Sequence, residues 1–208
     1  MYNSFEKQDK MDMQPEERGV QGGRTIQQYR AIDLSLFAVI LIIFEIVIVK
    51  AAVSWFPKEA WMVSAAPAVT AIIMVRWGPW CAIHAAVGGV VSVLARNGNW
   101  QECLIWGIGN LAALAVLPLE KKWGWKKFHE SVWMLLLFGA MIVLSMQVGR
   151  AVMALILGES PEGIWRMTAL DSITYIFTLT IVWIASRLDG ILEAQMHYLK
   201  RLNNETEQ

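Results

Sequence analysis

Seven polar or ionisable side chains interrupt the apolar stretches of this 208-residue chain. Placing an ionisable group inside a bilayer costs about 2.5–3.5 kcal/mol, so such groups usually face a bundle interior or a wet cavity and often mark ligand pathways. Arg150 and Asp171 could therefore meet charged groups of a ligand, or they could form an ion pair that only joins two helices. The seven are Glu45, Lys50, His84, Asn110, Gln147, Arg150 and Asp171.

The spacing of these groups places several of them on shared helix faces. Gln147 and Arg150 are three residues apart and therefore share a face. A second polar stripe follows the helical period and consists of Asp171, Thr174, Tyr175 and Thr178. At 1.5 Å per residue, Arg150, Asp171 and Lys50 all lie roughly 10 Å below the same end of the predicted bundle. We expect one polar cavity there, with Glu45 and Asn110 nearer mid-depth, where they could pair, and His84 as a packing residue.

Catalytic signatures are absent from the sequence. It contains no HExxH, no GxSxG, no Walker sequence and no paired-acid metal motif, and its two cysteines form no CxxC. We expect no enzymatic activity, no metal and no cofactor, although Glu45, Arg150 and Asp171 leave a membrane enzyme as a remote alternative. The chain also lacks the basic, aromatic-interleaved surface of nucleic-acid-binding proteins.

Composition assigns these groups to membrane helices. The chain is 56% hydrophobic and only 17% charged, and its charges cluster at the two ends. This pattern predicts an all-α integral membrane protein, with polar tails at 1–31 and 189–208 around a transmembrane domain at 32–188. Apolar runs of membrane-spanning length predict a bundle of six transmembrane helices at about 33–55, 60–75, 79–95, 101–118, 131–157 and 163–187.

The distribution of lysine and arginine predicts the orientation of this bundle. With six spans, thirteen basic residues fall on one side and only Lys58 and Arg96 on the other. The thirteen are Lys7, Lys10, Arg18, Arg24, Arg30, Arg76, Lys121, Lys122, Lys126, Lys127, Arg187, Lys200 and Arg201. Because basic loops stay in the cytoplasm, we expect both termini to be cytoplasmic and the polar cavity to open outwards.

Tryptophans gather at the predicted outer rim. They are Trp55, Trp61, Trp100, Trp106 and Trp165, and Asn97, Asn99, Gln101 and Glu102 accompany them. Tryptophan is common at membrane interfaces, so each one could be an interfacial anchor. Together, above a polar cavity, they would suit a flat heterocyclic ligand.

Small residues recur every fourth position in the third predicted span. Ala82 and Ala86 form one such pair, and Ala85 and Gly89 form another. Close helix contacts in membranes use this spacing. Ala82, Ala86 and Gly89 could therefore pack inside the chain or dock a partner subunit.

The stretch RWGPWCAIHAAVGGVV, residues 76–91, places a Gly-Pro turn before this small-residue helix. This stretch resembles the turn between the second and third helices of the substrate-binding S components of energy-coupling-factor (ECF) vitamin transporters. The predicted topology of the chain, with six spans and both termini in the cytoplasm, is similar to that of the same family. The resemblance in topology covers roughly residues 30–190. It implies a multi-pass protein of a bacterial or archaeal cell membrane that binds a vitamin or similar micronutrient. Its partners would be a membrane T component and two cytoplasmic ATPase subunits.

The resemblance also suggests residue roles. The loop from Trp55 to Trp61 would cap the ligand, with Trp61 closing over it, and Trp100 or Trp106 would stack on it. The remaining substrate-binding candidates are Lys50, Glu102, Asn110, Gln147, Arg150, Trp165, Asp171 and Tyr175. Arg150 and Lys50 would meet an anionic or carbonyl group, and Asp171 or Glu102 a cationic or amino group. The family's Ala-xxx-Ala docking motif belongs in helix one, whereas here it stands in span three as Ala82-xxx-Ala86.

The leading hypothesis is therefore a substrate-binding subunit of an ECF-type, ATP-driven uptake system. The alternative is a non-transport membrane assembly or signalling protein that acts through helix–helix contacts.

Overall fold

The computed structural model describes residues 26–55, 63–188, 190–195 and 198. These residues form helices and the turns between them, without any strand. The helices are α1 (Ile26–Trp55), α2 (Ala66–Trp77), α3 (Cys81–Ala95), α4 (Trp100–Gly109), α5 (Leu117–Glu130), α6 (Val132–Ile156), α7 (Pro161–Leu170) and α8 (Ser172–Ser186). Short 3₁₀ segments, Gly78–Trp80 and Asn110–Val116, join α2 to α3 and α4 to α5. The predicted all-α class is confirmed for the described part of the chain.

Five segments of the described chain are long and apolar enough to cross a membrane. They are Ile26–Trp55, Ala66–Ala95, Trp100–Gly124, Val132–Ile156 and Pro161–Ser186. The second segment contains both α2 and α3, and the fifth contains both α7 and α8. The predicted count of six spans and the predicted side of the termini stay predictions.

Helices α2 and α3 lie side by side rather than end to end. The chain turns at Gly78, whose φ of +59° is a conformation that glycine adopts most readily. A Cβ atom added at Gly88 of α3 would lie 2.5 Å from the Cβ of Ala66, at the far end of α2. The predicted Gly78–Pro79 turn is therefore confirmed. Helix α2 is only about 18 Å long, and ten of its twelve residues are buried.

Helix α1 packs on the rest of the bundle along one narrow stripe. Its buried residues are Leu41, Glu45 and Val49, each one helical turn after the last. Large apolar side chains such as Ile43 and Val47 are exposed on the rest of its surface. Exposed apolar faces of this extent are typical of helices in contact with lipid or another protein.

Glycines bring α3, α4 and α6 unusually close together. A Cβ at Gly89 would overlap the carbonyl group of Trp106, and a Cβ at Gly109 would lie 2.7 Å from the Arg150 Cα. A Cβ at Gly149 would overlap the carbonyl of Gly109. Close approaches of this kind exclude every larger residue.

The predicted docking residue Gly89 is therefore covered by α4 of the same chain. Ala82 and Ala86 are partly exposed on α3, so the docking prediction can apply only to these two alanines.

The end of the bundle at the Gly78 turn is held by a charged cluster. The Arg76 side chain donates hydrogen bonds to both carboxylate oxygens of Asp33, at 2.9 and 2.7 Å, and also to the carbonyls of Gly190 and Ile191. The Trp77 indole donates to the same carboxylate. We call this end of the bundle the Arg76 end. The opposite end of α3, where Arg96 follows Ala95, is the Arg96 end.

The packed region is longer than the predicted transmembrane domain at both ends. Helix α1 already begins at Ile26, within the predicted N-terminal tail. Leu192, in the predicted C-terminal tail, is fully buried in the hydrophobic core. An apolar side chain in a mostly polar segment marks a point where the chain returns to the bundle.

Candidate ligand-binding site

A cavity of about 250 Å³ opens at the Arg96 end of the bundle, between α4, α6 and α7. Its apolar lining comes from Ile105, Trp106, Ala154, Gly163, Ile164 and Met167. Its charged lining comes from Arg96, Glu102, Glu159 and Arg166. An apolar pocket with a few convergent polar groups is the usual form of a small-molecule site.

Side-chain caps fix the two helices that form most of this cavity. The Asn99 side chain accepts a hydrogen bond from the Glu102 backbone N–H and so begins α4. The Ser160 hydroxyl accepts one from the Gly163 N–H and begins α7. Asparagine and serine are preferred at this position because they satisfy an otherwise unpaired N–H. These caps set where Glu102 and Gly163 stand in the cavity wall.

Arg96 and Glu102 form an ion pair in the wall of the cavity. The Arg96 Nη2 donates to the Glu102 Oε2 over 2.8 Å, and the two side chains are 20% and 36% exposed. Burial lowers the pKa of Arg96 from its ordinary value; Glu102 counteracts this shift, and the positive charge of Arg150 adds to it. The neighbouring carboxylate thus favours the charged form of a partly desolvated guanidinium.

Two positively charged side chains contact the buried ring of Trp106. The guanidinium carbon of Arg96 lies 4.8 Å from the ring centroid, and that of Arg150 lies 4.1 Å from it. Both distances fall within the range of favourable cation–π contacts. Trp106 is therefore engaged by two cations while it also lines the cavity. Its predicted role of stacking on a ligand stays a prediction.

Arg150 and Asp171 form a buried ion pair that does not line the cavity. Their side chains are only 3% and 1% exposed, and the Arg150 Nη2 donates to the Asp171 Oδ2. The close contact of Gly109 with the backbone of Arg150 presses α4 against α6 and brings Trp106 over the guanidinium. This geometry suits the interpretation in which the pair joins α6 to the α7–α8 junction.

Hydrogen bonds extend this ion pair across the bundle to α1. The Thr174 hydroxyl donates to the Asp171 Oδ1 and accepts from the Ser64 backbone N–H at 3.2 Å. The Ser64 hydroxyl and the Ala66 N–H both donate to the Glu45 Oε1. Glu45 therefore caps the N-terminus of α2, where a carboxylate is favoured by the helix dipole.

The remaining mid-depth polar residues bond within the bundle. The Asn110 Nδ2 donates to the Ala85 carbonyl at 3.1 Å, and the Tyr175 hydroxyl donates to the Gln147 Oε1 at 2.8 Å. The expected pairing of Glu45 with Asn110 is wrong, because Glu45 bonds the start of α2 and Asn110 bonds α3. His84 Nε2 lies 3.0 Å from the Leu34 carbonyl and is fully buried, which fits a packing role.

The other predicted site residues do not meet at the cavity. Lys50 is exposed on α1, and Trp100 and Trp165 are 68% and 74% exposed. None of the three lines the cavity. Trp61 lies outside the described residues, as does most of the predicted capping loop. Of the predicted substrate-binding residues, the cavity brings together Glu102 and Trp106.

Three charged lining residues are missing from the sequence-based candidates. Arg96 enters the sequence-based reasoning only through the predicted topology, and neither Glu159 nor Arg166 is among the candidates. One signal was available in the sequence. Arg166 and Met167 follow Gly163 by three and four residues, which places the three near one face of α7.

The chain matches no known family model, no curated protein and no solved structure. Among the described residues, no group of histidine, cysteine, aspartate and glutamate side chains could hold a metal ion. The cavity can offer a ligand an apolar surface, two carboxylates and two guanidinium groups.

Proposed function

We propose that this chain is a membrane-embedded binding subunit for a small molecule, of the kind that serves an ECF-type uptake transporter for a vitamin or related micronutrient. The observation that carries the proposal is the cavity at the Arg96 end, with Trp106, apolar side chains and charges of both signs in its wall. Such a cavity can enclose an apolar body while binding polar groups at its ends.

The long apolar segments support a position in the membrane. Five described segments have the length and composition of spans, and the α2–α3 hairpin would add a sixth crossing if each of its arms enters the bilayer. With six crossings, the Arg76 end faces the cytoplasm by the positive-inside rule, and the cavity opens outwards. An outward cavity is the arrangement that uptake requires.

The chain would depend on partners for energy, because its sequence contains no ATP-binding motif. We assign this role to a T component and two ATPase subunits, with Ala82 and Ala86 as the contact on α3. Affinity purification from native membranes tests the assignment. Recovery of an ATPase pair supports uptake, whereas recovery of a sensor kinase or a biosynthetic enzyme supports the alternative of an assembly or signalling protein.

Ligand extraction tests the binding function itself. The full chain is purified in nanodiscs and denatured, and the released small molecules are identified by mass spectrometry. Gly163→Trp should fill the cavity from the first turn of α7, and the bound compound should disappear. Glu162→Trp is the matched control, because Glu162 is exposed on the same turn and does not line the cavity. If wild type and Gly163→Trp release the same compounds in equal amounts, the cavity is not a binding site.

A further inference from the structure

The charges that line the cavity sum to zero. Two arginines, Arg96 and Arg166, face two glutamates, Glu102 and Glu159. A ligand with a net charge would be attracted by the two residues of opposite charge and repelled by the two residues of the same charge. A balanced wall of this kind therefore favours a ligand whose own charges balance.

Only part of this charge is already neutralised. Arg96 and Glu102 hold each other at 2.8 Å. Glu159 and Arg166 are both exposed to solvent and form no ion pair with any described residue. The cavity thus presents one carboxylate and one guanidinium that a ligand can approach without breaking an existing ion pair.

The different positions of these two groups along the chain give the ligand a direction. Glu159 directly precedes the Ser160 cap, and Arg166 lies on the second turn of α7. Gly163 stands between them, and a Cβ atom added there would lie 3.3 Å from the Ser160 hydroxyl oxygen and 3.5 Å from the Glu159 Oε2. Met167 and Trp106 provide apolar surface beside the two charges.

We propose that the cavity binds an amino acid or a similar small zwitterion that carries one ammonium and one carboxylate group. The ammonium group meets Glu159, and the carboxylate meets Arg166, whose planar guanidinium suits two-point binding of a carboxylate. The apolar part of the ligand packs against Trp106. This inference rests on the proposed binding function and adds to it the chemical class of the ligand.

Ligand-induced thermal stabilisation of the full chain in nanodiscs provides the test. The probes are the standard L-amino acids and a series of ω-amino acids from β-alanine to 6-aminohexanoate. For the probe that stabilises most, the N-acetyl derivative and the methyl ester remove one charge each. Loss of a hydrogen bond to a charged group weakens binding about tenfold or more, so we expect each blocked form to bind at least about tenfold more weakly.

Charge variants assign the ends of the ligand. Arg166→Gln should weaken binding of the intact probe while leaving the weak binding of its methyl ester unchanged, and Glu159→Gln should do the same for the N-acetyl form. Glu162→Gln is the control, since that carboxylate lies on the same helix outside the cavity lining. Equal effects of Glu162→Gln and Glu159→Gln would overturn the assignment of Glu159.

Two outcomes would overturn the inference as a whole. One is that no zwitterion in the panel stabilises the chain, and the other is that a blocked derivative binds as tightly as its parent. If Gly163→Trp still abolishes a compound released from wild type, the binding function stands and only the ligand class is wrong. If nothing is released and no probe binds, the proposed function fails as well.

Discussion

Replacing Asp171 with asparagine tests whether the buried ion pair holds the helices together or serves the ligand. The substitution keeps the shape of the side chain but leaves the Arg150 guanidinium, which is 3% exposed, without its carboxylate. Breaking a buried pair by neutralising one partner costs about 3–5 kcal/mol. Asparagine can still accept a hydrogen bond from Arg150 or Thr174, so we expect the lower figure, about 3 kcal/mol. For a chain of this size that lowers the melting temperature by about 6–12 °C.

Thermal unfolding in detergent, followed by circular dichroism, measures this loss. Glu102→Gln is the matched control, because it neutralises the same kind of pair where the side chains are 20% and 36% exposed. Such exposed pairs contribute about 0–1 kcal/mol, so its melting temperature should fall by no more than about 4 °C. Equal losses for the two variants would refute the structural role. So would an unchanged melting temperature for Asp171→Asn combined with weaker ligand binding.

Substitutions test three further contacts, those of Gly149, Glu45 and Arg76. Gly149→Val should destabilise the fold by about 1–3 kcal/mol or prevent accumulation of the protein, because the new side chain overlaps α4. Gly139→Ala meets only a movable leucine side chain and should be tolerated in the same melting assay. Glu45→Ala should lower the free energy of unfolding by about 1–3 kcal/mol, because it removes the carboxylate that accepts from the Ser64 hydroxyl and the Ala66 N–H. Glu45→Gln should recover much of this loss in denaturant unfolding. Arg76→Ala should release the C-terminal segment and speed tryptic cleavage after Arg187, and an unchanged cleavage rate would contradict that contact.

The sequence was sufficient to locate the long apolar segments and the turn at Gly78, but not α5, which extends beyond the predicted span at 101–118, or the division of the span at 163–187 into α7 and α8. Long apolar runs and a Gly-Pro pair are local signals, so they need no knowledge of neighbouring helices. The shared depth of Arg150 and Asp171 also followed from counting residues along two helices. Their direct contact in the structure agrees with that count. Depth along a helix can therefore be predicted from sequence, since the rise per residue is constant.

Rotation around each helix axis could not be predicted in the same way. Trp100 and Trp106 lie on one helix, yet the first is 68% exposed and the second is 2% exposed. The difference arises because α4 turns the Trp106 side towards α6, through the contact of Gly109 with Arg150. Glu45 likewise accepts hydrogen bonds from Ser64 and Ala66 at the start of α2, about twenty residues further along the chain. Contacts of this kind depend on which helices become neighbours.

Ion pairs and cation–π contacts hold the wall of the cavity in place, and they continue into the bundle. Glu102 balances Arg96, Trp106 contacts both Arg96 and Arg150, and Asp171 balances Arg150. Each cation in this series already has a neighbouring carboxylate that offsets its charge, so Arg96 attracts an anionic group of a ligand less than an unpaired guanidinium does. An anionic group entering the cavity therefore meets the guanidinium on α7 at the lowest cost. A wall arranged in advance loses little freedom on binding, which leaves more of the interaction energy for affinity. The choice of ligand should accordingly depend on Glu159 and Arg166 more than on the buried pair of Arg150 and Asp171.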